Sequence, residues 1–190
     1  MKKYFEFLKE NLLIEKKIQD KKYDCIMFYC QMNEKDWNPF LKEIKIEDLN
    51  ENEGGLEEEP HITLLYGIHA DEVDKEKVYE SLKNIYEFDI ETEKVDLFEN
   101  EKFDVVKLNV NVTDKLKELR GIYENLLPNT QTFEGYHPHL TIAYVKPGEG
   151  KKYKRKLDEP LSLKVNKVVY SDVDYNKKYF TLKKIQSKED

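Results

Sequence analysis

The sequence predicts an α+β domain built as two pseudo-symmetric halves around a cleft, with antiparallel strands and one extra helix at the N-terminus. Two observations carry this. Segments with the period-two alternation of strands outnumber those with helical spacing, and the helical ones are segregated among groups of strands. The segment Pro60–Tyr66 (Pro-His-Ile-Thr-Leu-Leu-Tyr) also returns at Pro138–Tyr144 as Pro-His-Leu-Thr-Ile-Ala-Tyr, one copy for each half. A chain of 190 residues holds one domain with an appendage. The expected division is a helical extension over 1–21 and a main domain over 22–186.

The elements follow in order. Phe5, Leu8 and Leu12 recur at helical spacing with Lys and Glu between them, which predicts a helix over 2–19. Tyr23–Gln31 reads as a strand, with Ile26, Phe28 and Cys30 on one face and Cys25, Met27, Tyr29 and Gln31 on the other. A polar stretch with Trp37 and Pro39 follows. An acidic loop from Glu47 to Glu59, with Gly54-Gly55, then leads into the first His strand at 61–67, which Gly67 ends. Val78, Leu82 and Ile85 share one helical face over 74–86. Strands are expected at 89–98 and 103–112, with Val106, Leu108, Val110 and Val112 alternating in the second. Thr113 or Asp114 caps a helix running to about Leu127, with Leu116, Leu119, Ile122, Tyr123 and Leu126 inward, and Pro128 stops it. A loop over 129–137 enters the second His strand, 139–145. After a turn at Pro147–Gly150, strands at 161–170 and 179–185 complete the fold.

Composition narrows the function classes. A net charge of −7 argues against a broad basic face for long nucleic acid. It leaves room for a small anionic ligand held by a local patch, and Lys146, Lys151, Lys152, Lys154, Arg155 and Lys156 crowd one short stretch. No apolar run approaches the roughly 20 residues that span a bilayer. Charges interrupt the N-terminus too often for a signal peptide, so no membrane partner is expected. Cys25 and Cys30 have an odd separation and point to opposite faces. They read as buried free thiols of a reducing compartment, the cytoplasm.

The repeat carries the chemistry. Alternation places His61 with Thr63 on one face, and His139 with Thr141. With an unperturbed pKa of about 6.5, one imidazole can be neutral while another is charged near pH 7. A pair facing each other across a phosphate therefore supplies a base and an acid, and the Thr hydroxyls can donate to its non-bridging oxygens. The expected catalytic set is His61, Thr63, His139 and Thr141, with no metal and no cofactor. A metal site would need a third ligand such as His69 or His137, and no carboxylate stands at ligand spacing from either motif. Which His is the base stays open, as does the choice of a ribose 2′-OH or water as nucleophile. Tyr66 and Tyr144 lie an odd number of positions from their His and are expected in the core. Tyr29 is expected to line the cleft and stack on a base, Tyr136 to rim it, and Lys151 and Lys152 to form a basic lid over phosphates.

The paired tetrapeptides His61-Ile-Thr-Leu and His139-Leu-Thr-Ile resemble those of the 2H phosphoesterase superfamily, over roughly residues 23–185. That group includes 2′,5′-RNA-ligase-like proteins, cyclic phosphodiesterases and the exonuclease that trims U6 RNA. The resemblance implies a two-lobed α+β fold with a central cleft, and metal-independent phosphodiester cleavage by the two histidines. Glu59–Gly67 and Gly135–Tyr153 look similar to the phage branch that contains the anti-CBASS proteins, which cleave the cyclic oligonucleotide messengers of bacterial defence. This implies a cyclic di- or trinucleotide, or another short oligonucleotide, as substrate. The alternatives are a sponge that binds such ligands without turnover, and an enzyme acting on RNA ends as a 2′,3′-cyclic phosphodiesterase or 2′,5′-RNA ligase. The N-terminal helix departs from the compact pattern of the family.

Overall fold

The computed structural model describes residues 23–131 and 135–184. The helix expected over 2–19 lies outside them. The elements are β1 (Asp24–Gln31), α1 (Glu34–Glu43), β2 (His61–Ile68), α2 (Lys75–Leu82), β3 (Phe88–Glu99), β4 (Asp104–Val110), α3 (Asp114–Leu126), β5 (His139–Val145), β6 (Arg155–Ser171) and β7 (Lys177–Thr181). The strands join one antiparallel sheet in the order β2-β1-β6-β3-β4-β5, with β7 also on β6.

The long strand β6 serves both halves. Its Lys164–Ser171 part pairs with β1, and its Arg155–Val165 part pairs with β3. Each half therefore ends in a His strand, β2 on one side and β5 on the other. The sheet curls so that these two terminal strands approach each other.

The connections cross over reciprocally. The segment leading into β2 runs along β5: Asn50 N–H donates to the Tyr144 carbonyl at 2.9 Å, and Glu57 N–H to the Ile142 carbonyl at 2.9 Å. The segment leading into β5 runs along β2: Thr130 N–H donates to the Gly67 carbonyl at 2.9 Å. The outer edges of β2 and β5 are thereby partly paired and protected. The second crossover explains Gly67. Its φ is +90°, and a Cβ there would sit 2.2 Å from the Thr130 carbonyl oxygen, so only glycine fits.

One hydrophobic core lies between sheet and helices, with Ile26, Phe28, Ile62, Leu64, Leu140, Val168 and Tyr170 at or near zero exposure. Removing such a side chain from water stabilises by about 1.5–3 kcal/mol. Asp74 and Thr113 cap α2 and α3 by accepting from the Lys77 and Leu116 amides. On α3, Leu116, Leu119 and Tyr123 are buried, whereas Ile122 and Leu126, expected inward, are exposed. The stripe at i, i+3 and i+7 fills the width of the contact and leaves those two beyond its edge. The helix α1 falls where the sequence reads as a polar loop. Pro39 ordinarily argues against a helix interior, but the burial of Trp37 and Phe40 holds it. The basic stretch after Gly148 is not an open turn: it forms a 3₁₀ helix, Glu149–Tyr153, and then enters β6 at Arg155. Cys25 and Cys30 are free, as expected, but half-buried rather than buried. Burial pushes their thiols up to about 11 and about 12. Among the described residues, no helix is long and apolar enough to cross a membrane.

Candidate active site

Both His strands carry a β-bulge at the same place, and this overturns one expectation. Along β2, His61 faces Tyr29, Thr63 faces Met27 and Leu65 faces Ile26, so Leu64 is the extra residue. Along β5, Thr141 faces Lys107 and Ala143 faces Val106, so Ile142 is the extra residue. Each bulge lies three positions after its His. An extra residue resets the alternation. Tyr66 and Tyr144 consequently stand on the His–Thr face, opposite Cys25 and Val105, and not in the core. Tyr66 is 41% exposed. Tyr144 is half-buried next to Thr141; burial raises its pKa and the Thr141 hydroxyl opposes the rise. A bulge also frees a carbonyl from the ladder. Arg120 of α3 donates to Leu64 O at 2.6 Å, while Ile142 O takes the Glu57 amide.

The two histidines are held alike. His61 Nδ1 lies 2.9 Å from the Glu59 carbonyl, and His139 Nδ1 lies 2.8 Å from the His137 carbonyl. A carbonyl only accepts, so these contacts assign the proton to Nδ1 in each ring. Nε2 then carries a lone pair when the ring is neutral and a proton when it is charged. Both rings are thus set to exchange a proton through Nε2.

Their surroundings match in kind. Tyr29 of β1 stacks on His61, with centroids 5.7 Å apart and an interplanar angle of 28°. Phe98 of β3 meets His139 edge-on, 5.0 Å away at 88°. An ammonium accompanies each aromatic ring: Lys177 Nζ lies 5.9 Å from the Tyr29 centroid and Lys107 Nζ lies 4.1 Å from that of Phe98. Charges differ between the halves. Lys177 is ion-paired with Glu59, which also accepts from the Tyr29 hydroxyl at 3.4 Å. The hydrogen bond from Lys177 holds the Glu59 carboxyl below the usual range, against the opposing effect of burial. Lys107, 4% exposed, donates to Asn109. Its carboxylate neighbour Asp96 is already engaged by Lys94 at 2.9 Å and Lys154 at 3.0 Å. Burial lowers the pKa of His139, the backbone bond to His137 works against this, and the Lys107 charge and His61 add to the lowering. These influences together favour the neutral form of His139.

The remaining expected substrate contacts are engaged within the fold. Tyr136 packs half-buried against the core beneath the Arg120 guanidinium, 5.1 Å from its ring centroid. Lys151 and Lys152 sit on the 3₁₀ helix at the Val145 end of β5, where Gly150 N–H reaches the Asp104 carboxylate. That is the far end of the strand from His139. Both lysines are engaged, Lys151 with Glu99 at 2.9 Å and Lys152 with Asp48 and Glu149 at 2.7 Å each, so neither forms a free lid. His69, a conceivable metal ligand by sequence, contacts Glu72 and Thr130. Among the described residues, no three His, Cys, Asp or Glu side chains group so as to hold a metal ion. Alternation along the sequence does not indicate the contacts of Phe98, Lys107, Lys177 and Arg120, and it places Tyr66 and Tyr144 on the opposite face from the one they occupy.

A curled antiparallel sheet whose two terminal strands each present a His-x-Thr is the construction of a two-histidine phosphoesterase. The profile described as the 2′-5′ RNA ligase superfamily matches residues 33–174, and the chain belongs to that superfamily, the 2H phosphoesterases. Among solved structures, the fold is similar to that of E. coli LigT complexed with 3′-AMP. The TM-score is 0.50 at 15% identity, over 85% of this chain and 96% of that one. A structure described as a phosphoesterase is similar at a TM-score of 0.46 and 14% identity, over 86% of this chain and 96% of the other. Comparison with curated protein sequences gives no match. At these identities the structural likeness speaks to the fold alone. The matched span contains both His-x-Thr motifs, Phe98 and Lys107, and leaves Tyr29 and Lys177 outside it.

Proposed function

We propose that this chain is a metal-independent phosphodiesterase that cleaves short oligonucleotides, cyclic ones in particular, and that it acts in the cytoplasm on the cyclic nucleotide signals of antiviral defence. The observation that carries the reading is the identical tethering of two imidazoles on facing strands, each through Nδ1 to a backbone carbonyl. The similarity of Glu59–Gly67 and Gly135–Tyr153 to the anti-CBASS branch supports the cyclic substrate. The net charge of −7 disfavours long nucleic acid.

In this reading His139 is the base and His61 the acid. The neutral His139 takes the proton of the ribose 2′-OH on Nε2. The 2′ oxygen bonds to phosphorus as the P–O5′ bond breaks, and His61 gives its Nε2 proton to the departing oxygen. The products are a 2′,3′-cyclic phosphate and a 5′-OH. Thr63 and Thr141 donate to the non-bridging oxygens, where charge builds in the transition state.

The test is incubation with EDTA and a panel of cyclic di- and trinucleotides and 2′,3′-cyclic mononucleotides, with products identified by mass spectrometry. Cleavage to linear products bearing a cyclic phosphate supports the reading. Full recovery of every ligand after denaturation would leave a sponge. Affinity that grows with RNA length and falls steeply with salt would shift it to an RNA-end enzyme.

A further inference from the structure

The matched triads around the two histidines go beyond the acid–base pair. One is His61, Tyr29 and Lys177; the other is His139, Phe98 and Lys107. In each, an aromatic ring contacts the imidazole and a lysine ammonium lies within 6 Å of that ring's centroid. The two triads come from unrelated sequence positions. Tyr29 sits on the strand next to β2, while Phe98 sits two strands from β5, across β4. The sequence repeat spans only Pro60–Tyr66 and Pro138–Tyr144 and includes neither Tyr29, Lys177, Phe98 nor Lys107, so the second aromatic platform and its cation are a property of the fold.

Phe98 and Lys107 are otherwise hard to account for. Phe98 is 40% exposed, an apolar ring left at the surface beside a catalytic imidazole. Lys107 is nearly fully buried. It has no carboxylate within ion-pair distance among the described residues, and Asp96 is held by two other lysines. A buried ammonium without a paired anion is costly, and its cost falls when an anionic ligand arrives. Its position opposite Thr141 puts that anion at the second His-x-Thr motif.

Resting on the phosphodiesterase reading, we propose that the cleft is a double nucleoside site: Tyr29 and Phe98 each stack one of the two bases flanking the scissile phosphate, and Lys107 contacts the phosphate beside Thr141. The preferred substrate unit is then an internucleotide linkage with a base on each side, in preference to a mononucleotide. A one-base ligand engages one platform and leaves the other empty. Base–aromatic stacking of about 1–3 kcal/mol corresponds to about 5- to 150-fold in affinity for each platform.

The experiment measures equilibrium binding of a 2′-O-methyl, phosphorothioate-linked dinucleotide, which resists cleavage, and of the matching 3′-mononucleotide. The proteins are the wild type, Tyr29→Ala, Phe98→Ala, Phe98→Leu and Phe98→Tyr, with circular dichroism melts to verify folding. The expected result is tighter binding of the dinucleotide than the mononucleotide by wild type. Phe98→Ala and Tyr29→Ala should each weaken the dinucleotide about 5- to 150-fold. Phe98→Tyr should restore the affinity and Phe98→Leu should not, which separates stacking from simple apolar cover. Equal affinity of wild type for the two ligands, or an unchanged dinucleotide affinity in a folded Phe98→Ala, overturns the proposal. Because the readout is binding, it stands apart from turnover. A protein that binds as described but cleaves nothing loses the phosphodiesterase reading and keeps the double site; the reverse pattern does the opposite.

Discussion

Replacing Arg120 by Met tests whether the bulge of β2 is held in place or merely tolerated. The Arg120 side chain is 14% exposed, and its guanidinium reaches three partners: Leu64 O at 2.6 Å, Gln131 Oε1 at 2.9 Å and the Glu124 carboxylate. It also lies over the Tyr136 ring. Leu64 is fully buried and sits outside the β1 ladder, so its carbonyl relies on Arg120. Methionine keeps the volume and removes every donor. A buried acceptor left unsatisfied costs about 1–3 kcal/mol, and the lost cation–π contact adds about 0.5–2 kcal/mol. Relief from burying a charge offsets part of this. A net loss of about 2–3 kcal/mol lowers Tm by about 4–12 °C for a domain of this size. The assay is thermal unfolding followed by circular dichroism, together with amide hydrogen exchange across β2, where exchange at Leu65 and Tyr66 should quicken. A Tm within about 1 °C of wild type, with unchanged exchange in β2, would refute the idea that Arg120 fixes the bulge.

Other expected outcomes concern pH and the basic stretch. His139 has a lowered pKa and must be neutral to act as base, so kcat/KM should rise with pH through a value below 6.5. Lys107→Met removes a positive charge that helps to lower it, so the acidic limb of the profile should move to higher pH; an unmoved limb would show that Lys107 does not act on His139. Lys151→Ala and Lys152→Ala, located at the far end of β5 and ion-paired with Glu99, Asp48 and Glu149, should change kcat/KM by less than about twofold. A loss of tenfold or more in steady-state assays would restore them to the substrate path.

The parts legible in the sequence are those set by local rules. His61, Thr63, His139 and Thr141 lie within short strands where alternation holds, and Thr113 and Pro128 mark the ends of α3 through capping and the missing amide. Alternation fails beyond Leu64 and Ile142, because a bulge depends on which residue the partner strand supplies. Alternation therefore puts the repeated Tyr pair on the wrong face; the two bulges bring Tyr66 and Tyr144 to the His–Thr face. Lys107 was visible as a charge between Val106 and Leu108, on the same parity as Asn109. Its meaning needed the pairing of β4 with β5, which is a long-range property. Phe98 joins the site because β4 links β3 to β5 in the sheet, a pairing the sequence does not show. Lys151 and Lys152 looked like a lid from charge density alone, and charge density does not reveal that Glu99, Asp48 and Glu149 are waiting across the fold.

The central claim is that two tethered imidazoles act as one acid–base unit in a single cleft. The most direct measurement is the single-turnover rate of internucleotide cleavage, in EDTA, for wild type, His61→Ala, His139→Ala and the double variant. Each single change should lower the rate by about 10²–10⁴. The double variant should be little slower than the worse single one, since residues acting as a unit are not additive. A single variant that keeps the wild-type rate, or losses that multiply in the double variant, would contradict it.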